Sequence, residues 1–312
     1  EKEYEVQSAQ FPPAGATDCA TAHLPYKRFR CFSLITRKLV ILRCNSNLQN
    51  IHHMVRLFQN SRTARIIFIL IGIAVVYIAW DIAPIIYKPL HISNVSLRLA
   101  LRGIISFIPM TAILLCLHKP SDIITSIGLN ANILKGLGFA ALCCSPLLIG
   151  MPVIGTFNTD LTFDYFFRVV VLAAFLEEVI FRGFMFGQLF RCGKIGFIWA
   201  IIIPAILFGL GHLYQGHNLI SSLMAFGVTA LGALYFSWVY VECNYNLWVS
   251  IGLHIFMNFS WTMFPVEGNE TSVGTLLPNI LRVASIALTV IFIIIYKKKS
   301  SSKVFDYSVA KM

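Results

Sequence analysis

Six residues in this chain join acid–base or hydrogen-bonding chemistry to surroundings where polarity is costly. Glu177, Glu178 and Arg182 sit in FLEEVIFRG, His212 ends FGLGH, and His254 and Asn258 sit in LHIFMNF. An ionisable group inside a membrane-spanning helix costs about 2.5–3.5 kcal/mol on insertion scales, so such groups are kept for pairing or for function. Residues four apart share a helix face, and Glu178 precedes Arg182 by four in the favourable acid-before-base order. Glu177 lies about 100° around the helix from Glu178. One carboxylate can therefore be neutralised by arginine while the other points elsewhere. His254 with Asn258, and Phe208 with His212, have the same four-residue spacing. Three helices could bring a free carboxylate, two imidazoles and an amide to one buried pocket.

The chemistry open to that set is hydrolysis. A carboxylate in an apolar site holds its proton more tightly than in water, and a nearby cation opposes this. A carboxylate so balanced serves as a general base on water near neutral pH. A histidine beside it can orient the water, or hold a divalent metal that activates it. A second histidine with an amide one turn away can donate hydrogen bonds to a developing oxyanion. Together these parts suit cleavage of an amide bond by activated water, with Glu177, Glu178, Arg182, His212, His254 and Asn258 as the candidate catalytic residues. If a divalent metal such as zinc takes part, His212, His254 and Glu177 are its candidate ligands, few enough to leave a coordination position open. No serine or cysteine is obviously placed as a nucleophile, and neither G-x-S-x-G nor H-E-x-x-H occurs.

Simpler readings stand beside this one. Glu178 and Arg182 can be an ion pair that fixes two helices. His212 can be a packed or interfacial histidine, and His254 with Asn258 can be hydrogen-bond glue between helices. Glu177, a second carboxylate next to the first, has no comparably simple structural role. Phe208 reads as packing, and Gly183, Gly187, Gly209 and Gly211 as points of close helix approach. His91, His118 and His217 lie at span edges or in loops and are given no role. Asp81 is read as interfacial.

The elements that must position these residues are membrane helices. Of 312 residues, 57% are hydrophobic and 12% charged, against about 25% charged in soluble domains. A soluble globular fold, a disordered chain and a disulfide-rich secreted module are all excluded. The eight cysteines are scattered without a C-x-x-C pair, which leaves neither a disulfide framework nor a cysteine metal site. A span needs about 20 mainly apolar residues. Eight segments qualify, at roughly 66–87, 99–117, 133–155, 163–190, 195–214, 218–241, 245–264 and 279–296. The expected fold is all-α, a polytopic bundle of about eight transmembrane helices. Pro84, Pro109, Pro146, Pro152 and Pro204 interrupt spans without vetoing them, because neighbouring helices can satisfy freed backbone groups.

The net charge of +11 reads as topology, not as a nucleic-acid surface, because the bases sit at the ends of apolar runs. With a cytoplasmic N-terminus, the inside collects Arg56, Arg62, Arg65, Lys119, Lys135, Arg191, Lys194, Lys297, Lys298, Lys299, Lys303 and Lys311. The outside holds Lys88, Arg98, Arg102, Arg168 and Arg282. Both termini are therefore expected in the cytoplasm. Residues 1–53 look foreign to the rest, and Met54 opens a short basic leader before the first apolar run. The organisation expected is an N-terminal extension over 1–53 that is disordered or non-native, a membrane domain over 54–298 with its catalytic core at about 163–264, and a cytoplasmic tail over 299–312.

The motifs E-E-x-x-x-R, F-x-x-x-H and H-x-x-x-N, in that order on separate spans, resemble the CAAX-protease and bacteriocin-processing-enzyme family of intramembrane endopeptidases. Here they read Glu177-Glu178-x-x-x-Arg182, Phe208-x-x-x-His212 and His254-x-x-x-Asn258. The resemblance covers about a third of the chain. It implies a catalytic chamber within the bilayer, with Glu177 and His212 activating water, Glu178 paired to Arg182 to hold the site, and His254 and Asn258 forming the oxyanion pocket. The family has been discussed both as metalloproteases and as metal-free glutamate proteases. Eukaryotic members remove the last three residues of prenylated C-a-a-X proteins, and many bacterial members are linked to peptide maturation, immunity or signalling.

The function expected is thus cleavage of a membrane-associated, prenylated or unprenylated protein or peptide, in a bacterial inner membrane, with the lipid bilayer as surroundings and no nucleic-acid partner. Two other classes use the same residues. A proton- or cation-coupled transporter would run its path through the buried carboxylates and histidines, although no internal repeat supports one. A non-catalytic membrane scaffold would retain function with Glu177 and His212 replaced.

Overall fold

The computed structural model describes residues 61–267 and 273–299. The extension read at 1–53 and the chain beyond Lys299 lie outside them. Among the described residues the secondary structure is helical, without strands. The longer helices are α1 (Arg62–Tyr87), α2 (Val95–Leu117), α3 (Ile133–Cys143), α4 (Ser145–Ile154), the helical run α5 (163–192), α6 (Phe197–Leu210), α7 (Leu219–Glu242), α8 (Leu247–Met263) and α9 (Leu276–Lys299).

Local sequence explains where these helices begin. Ser61, Asn94, Asn132, Thr162, Asn218 and Asn246 each accept a hydrogen bond from a first-turn backbone N–H. Short polar side chains just before an apolar run satisfy donors that the helix cannot. Asn218 and Ser221 form a reciprocal capping box. Pro84, Pro109, Pro152 and Pro204 lie inside helices that continue through them. At Pro146 the third expected span breaks: α3 and α4 meet at Cys144 with a bend of 50°. Proline has no N–H to give the preceding turn, so it starts α4 and does not extend α3.

Helices α1, α2, α6, α7 and α9 are each long and apolar enough to cross a membrane, and the bent α3–α4 pair brings the number to six. The chain is an integral membrane protein. The other two segments read as spans are α5 and α8, and these carry most of the polar residues. Helix α8 has 17 residues. Helix α5 alternates between α and wider π geometry, with π turns at Phe167–Leu172, Glu178–Phe186 and Gln188–Cys192. Such widened turns are frequent at functional sites.

Helix α5 is the centre of the bundle. The hairpin of α1 and α2 leans on it from one side, and the hairpin of α6 and α7 from another. Helix α8 packs along α5 and α3, and α9 along α4 and α3. Tyr235 Oη donates to Thr289 Oγ1 at 2.8 Å, and Lys297 Nζ lies 2.6 Å from Glu242 Oε2, so polar contacts fix α9 to α7 at two levels. Close approach follows the glycines in part. A Cβ on Gly183 would come within 3.2 Å of Ile127 and Leu247, and one on Gly209 within 2.7 Å of the Phe226 ring, whereas Gly211 faces only carbonyls of its own helix.

One end of the bundle is sealed by polar groups. Arg191 Nη1 donates to Ser126 O at 2.7 Å, Thr125 O at 3.2 Å and Tyr240 Oη at 3.2 Å. Gln188 donates to Ser126 O and Gly183 O, which turns its Oε1 to His118 Nε2 at 2.6 Å. Burial holds the His118 imidazole below its ordinary pKa, and a neutral ring donating from Nε2 fits this bond. His118, given no role from sequence, is thus part of the seal. Arg65 Nη1 and Arg62 Nη2 bond to Cys192 O and Lys194 O, which brings the start of α1 to the end of α5.

Gly128 shapes the loop under this seal. Its φ of +82° is open to glycine, its carbonyl accepts Leu247 N–H at 3.1 Å, and a Cβ there would run into the Tyr245 carbonyl. A left-handed backbone costs about 1–2 kcal/mol for a residue with a Cβ, and the clash adds to it. Gly128→Ala is therefore expected to lower the thermal unfolding midpoint of the detergent-purified protein. An unchanged midpoint would show that the loop can be rebuilt.

Candidate active site

The two adjacent glutamates of α5 have different surroundings. Glu178 is fully buried and lies 3.1 Å from Arg182 Nη1, which is buried as well. The i,i+4 pairing expected from sequence is present. A third member joins it: His254 Nδ1 lies 2.8 Å from Glu178 Oε1. A carboxylate oxygen accepts, so Nδ1 carries the proton in this bond. Glu177 is 23% exposed at its side chain, with Oε2 3.8 Å from His254 Nε2, outside hydrogen-bond range. His254 therefore stands between the carboxylates, bonded to one and facing the other.

Arg182 takes little from hydrogen bonding. Its Nε and Nη2 are buried without a hydrogen-bond partner. The guanidinium instead lies 4.5 Å from the Phe208 ring centroid and 5.2 Å from that of Phe236. Aromatic faces attract a desolvated cation, by about 2 kcal/mol or more. Phe208, read from sequence as packing, packs specifically on this charge. Phe236 of α7 was not picked out, because a phenylalanine in an apolar run signals only burial. It also stacks on His254 at 5.5 Å.

His212 is displaced from its expected setting. The sequence places it inside a span on a shared face with Phe208, but α6 ends at Leu210 and His212 lies in the following turn. Its ring still lies 4.5 Å from that of Phe208, and its Nδ1 is 2.7 Å from Phe208 O. A carbonyl can only accept, so Nδ1 carries the proton and a neutral ring keeps a lone pair on Nε2. Asn258, one turn beyond His254, donates from Nδ2 to Val169 O at 2.9 Å. Val169 lies in the first π turn of α5. One N–H of the amide is thereby used and the other remains.

These side chains share a cavity of about 670 Å³. Glu177, His212, His254 and Asn258 line it, while Glu178 and Arg182 lie behind its wall. The rest of the lining mixes apolar groups such as Ile180, Phe181 and Leu207 with Tyr77, Trp80, Arg168 and Tyr214. Asp81 belongs to this wall, paired with Arg102 at 3.4 Å. Nδ1 of each histidine is committed, one to Glu178 and one to Phe208 O, which leaves Nε2 as the nitrogen available to a ligand. Among the described residues no three His, Cys, Asp or Glu side chains are gathered to hold an ion, so the candidate set Glu177, His212 and His254 is not assembled as a metal centre.

The buried pair yields a stability prediction. Removing one partner leaves a charge buried alone, at about 3–5 kcal/mol. Arg182→Ala is expected to lower the unfolding midpoint sharply, and Glu178→Gln combined with Arg182→Met to lower it less. Thermal unfolding of both variants in detergent checks this; equal losses would show that packing, not charge, sets the cost.

Comparison with known proteins bears on the same segment. Residues 159–260 match the family of type II CAAX prenyl endopeptidase Rce1-like proteins. A protein of Bacillus subtilis (strain 168) named "Putative membrane peptidase YdiL" is 32% identical over 88 residues, 28% of this chain. The match spans about a third of that relative's length, 32%. No solved structure matches the chain. Over the segment that carries all three motifs, the chain is thus similar to the CAAX-protease family that those motifs resemble.

Proposed function

We propose that the protein is an intramembrane endopeptidase that hydrolyses a peptide bond of a membrane-associated protein or peptide, with water activated by Glu177 and His212. The observation that carries this is the shared cavity: a partly exposed carboxylate, a histidine with a free Nε2, a second histidine and an amide N–H line one chamber. The match to Rce1-like endopeptidases supports the reaction class.

In this reading a water molecule gives a proton to the Glu177 carboxylate while His212 Nε2 orients it. The oxygen bonds to the scissile carbonyl carbon, and the carbonyl electron pair moves to its oxygen. The free N–H of Asn258 donates to that oxyanion, as does His254 Nε2 when it carries a proton. Glu178 keeps the other nitrogen of His254 in place. The tetrahedral centre then collapses, the carbon–nitrogen bond breaks, and the proton held by Glu177 passes to the leaving amine. One water is consumed, and an acid and an amine are released. These steps use water and side chains alone.

The transporter alternative needs a path to both faces of the membrane. The chamber instead stops against Glu178 and Arg182, with the Arg191–Gln188 seal beyond. The expected setting remains a bacterial plasma membrane with cytoplasmic termini. Prenylated substrates are one class within this proposal, beside unmodified peptides.

The test is cleavage of a panel of prenylated and unprenylated peptides by purified protein. Glu177→Gln is expected to lower the rate by about 10²–10⁴-fold, the usual contribution of a general base, with the unfolding midpoint unchanged. Asn258→Ala is expected to cost about 10²–10³-fold, as for other oxyanion donors. A strong chelator is expected to leave the rate unchanged. Full activity in Glu177→Gln would end the proposal, and loss to the chelator with recovery on added zinc would replace its metal-free step.

A further inference from the structure

The chamber is one-sided, and its open side is identifiable. Helices α1, α6 and α8 run away from the sealed end, and the chamber-lining residues of α1 and α6 fall in their second halves: Tyr77, Trp80 and Asp81 on α1, Leu207 and Phe208 on α6. Helices α2 and α5 run the other way, and Arg102 and Arg168 line the chamber from the first third of each. The Arg102–Asp81 pair joins the end of α1 to the start of α2 at this open end. Tyr214, a lining residue in the turn after α6, is 80% exposed. At the opposite end Gln188 is 1% and Arg191 8% exposed, and their bonds to Ser126, Thr125, Tyr240 and His118 close the bundle.

The sealed end is also the basic end. Arg62, Arg65, Lys119, Lys135, Arg191, Lys194 and Lys297–Lys299 lie there, against Lys88, Arg98, Arg102, Arg168 and Arg282 at the open end. Membrane proteins keep the excess of Lys and Arg in the cytoplasm. We infer that the chamber opens away from the cytoplasm, so that the protein acts on peptides presented at the non-cytoplasmic face or in that leaflet of the bilayer. This rests on the endopeptidase reading for its chemistry, but the direction of opening stands on helix polarity, burial and charge alone.

Two measurements separate these parts. In a cysteine-free background, Tyr214→Cys at the rim and Ala173→Cys in the chamber wall, one helical turn before Glu177, are probed with a membrane-impermeant maleimide on intact cells, with Lys194→Cys as the marker of the sealed end. Labelling of Tyr214→Cys and Ala173→Cys before permeabilisation, and of Lys194→Cys only after it, is expected. The reverse pattern overturns the inference, as does a Tyr214→Cys that needs permeabilisation. Independently, an acylated quenched-fluorescence peptide is added to right-side-out and to inside-out vesicles. Cleavage at least tenfold faster in the right-side-out preparation is expected, and faster cleavage in the inside-out one refutes the stated side. Expected labelling together with no cleavage in vesicles or detergent, for this peptide and the wider panel, would count against the endopeptidase reading while leaving the direction of opening intact.

Discussion

The arrangement depends on keeping one ion pair, Glu178 with Arg182, in the middle of an apolar bundle. Two desolvated charges cost several kcal/mol each unless their surroundings replace water. Here three neighbouring helices supply the replacement. Helix α5 carries both charges, α6 brings the face of Phe208, α7 the face of Phe236, and α8 the His254 N–H. Moving any one of these helices would strip a partner from a buried charge. The pair thereby acts as a register mark that holds α6 and α8 against α5, and these two helices deliver His212, His254 and Asn258.

The irregular geometry of α5 serves the same end. An α-helix bonds every interior carbonyl in a fixed pattern, whereas the π turns of α5 bond five residues ahead and spread the backbone. Asn258 takes the carbonyl of Val169 in the first widened turn, which orients the amide from outside α5. The run is then held at both ends: near its start Asp164 accepts from Asn94 and Ser96, and near its finish Gln188 and Arg191 are tied to the Thr125–Ser126 turn. A helix with weakened internal regularity stays in place because its neighbours bond to it directly.

Much of this was legible in the sequence because membrane spans and intramembrane charges are strong signals. The eight apolar segments coincide with helical segments, with α3 and α4 sharing one, and the Glu178–Arg182 pairing followed from spacing alone. What was not legible depends on neighbours. Nothing in FGLGH says that the helix stops before His212, since glycines permit but do not compel an end. Nothing marks Phe236 among 25 phenylalanines as the one over a guanidinium. Arg191 and His118 looked like the polar edge of spans and Gln188 was not picked out, and only tertiary packing turns the three into a buried seal. The zinc alternative was open for the same reason: one carboxylate and two imidazoles were present, but whether three ligands meet at one point depends on tertiary packing.

His254 links the structural half of the site to the chemical half. Its Nδ1 is fixed by Glu178, which leaves Nε2 directed toward Glu177. Two acceptors facing each other would repel, so a proton between Nε2 and the Glu177 carboxylate, on one or the other, relieves the contact. With one proton in that contact, on either group, Glu177, Glu178, Arg182 and His254 sum to no net charge, which limits the cost of placing them in an apolar bundle. In the proposed reaction the proton that Glu177 takes from water is matched by the charge of the oxyanion, so these groups and the intermediate together keep the same net charge throughout.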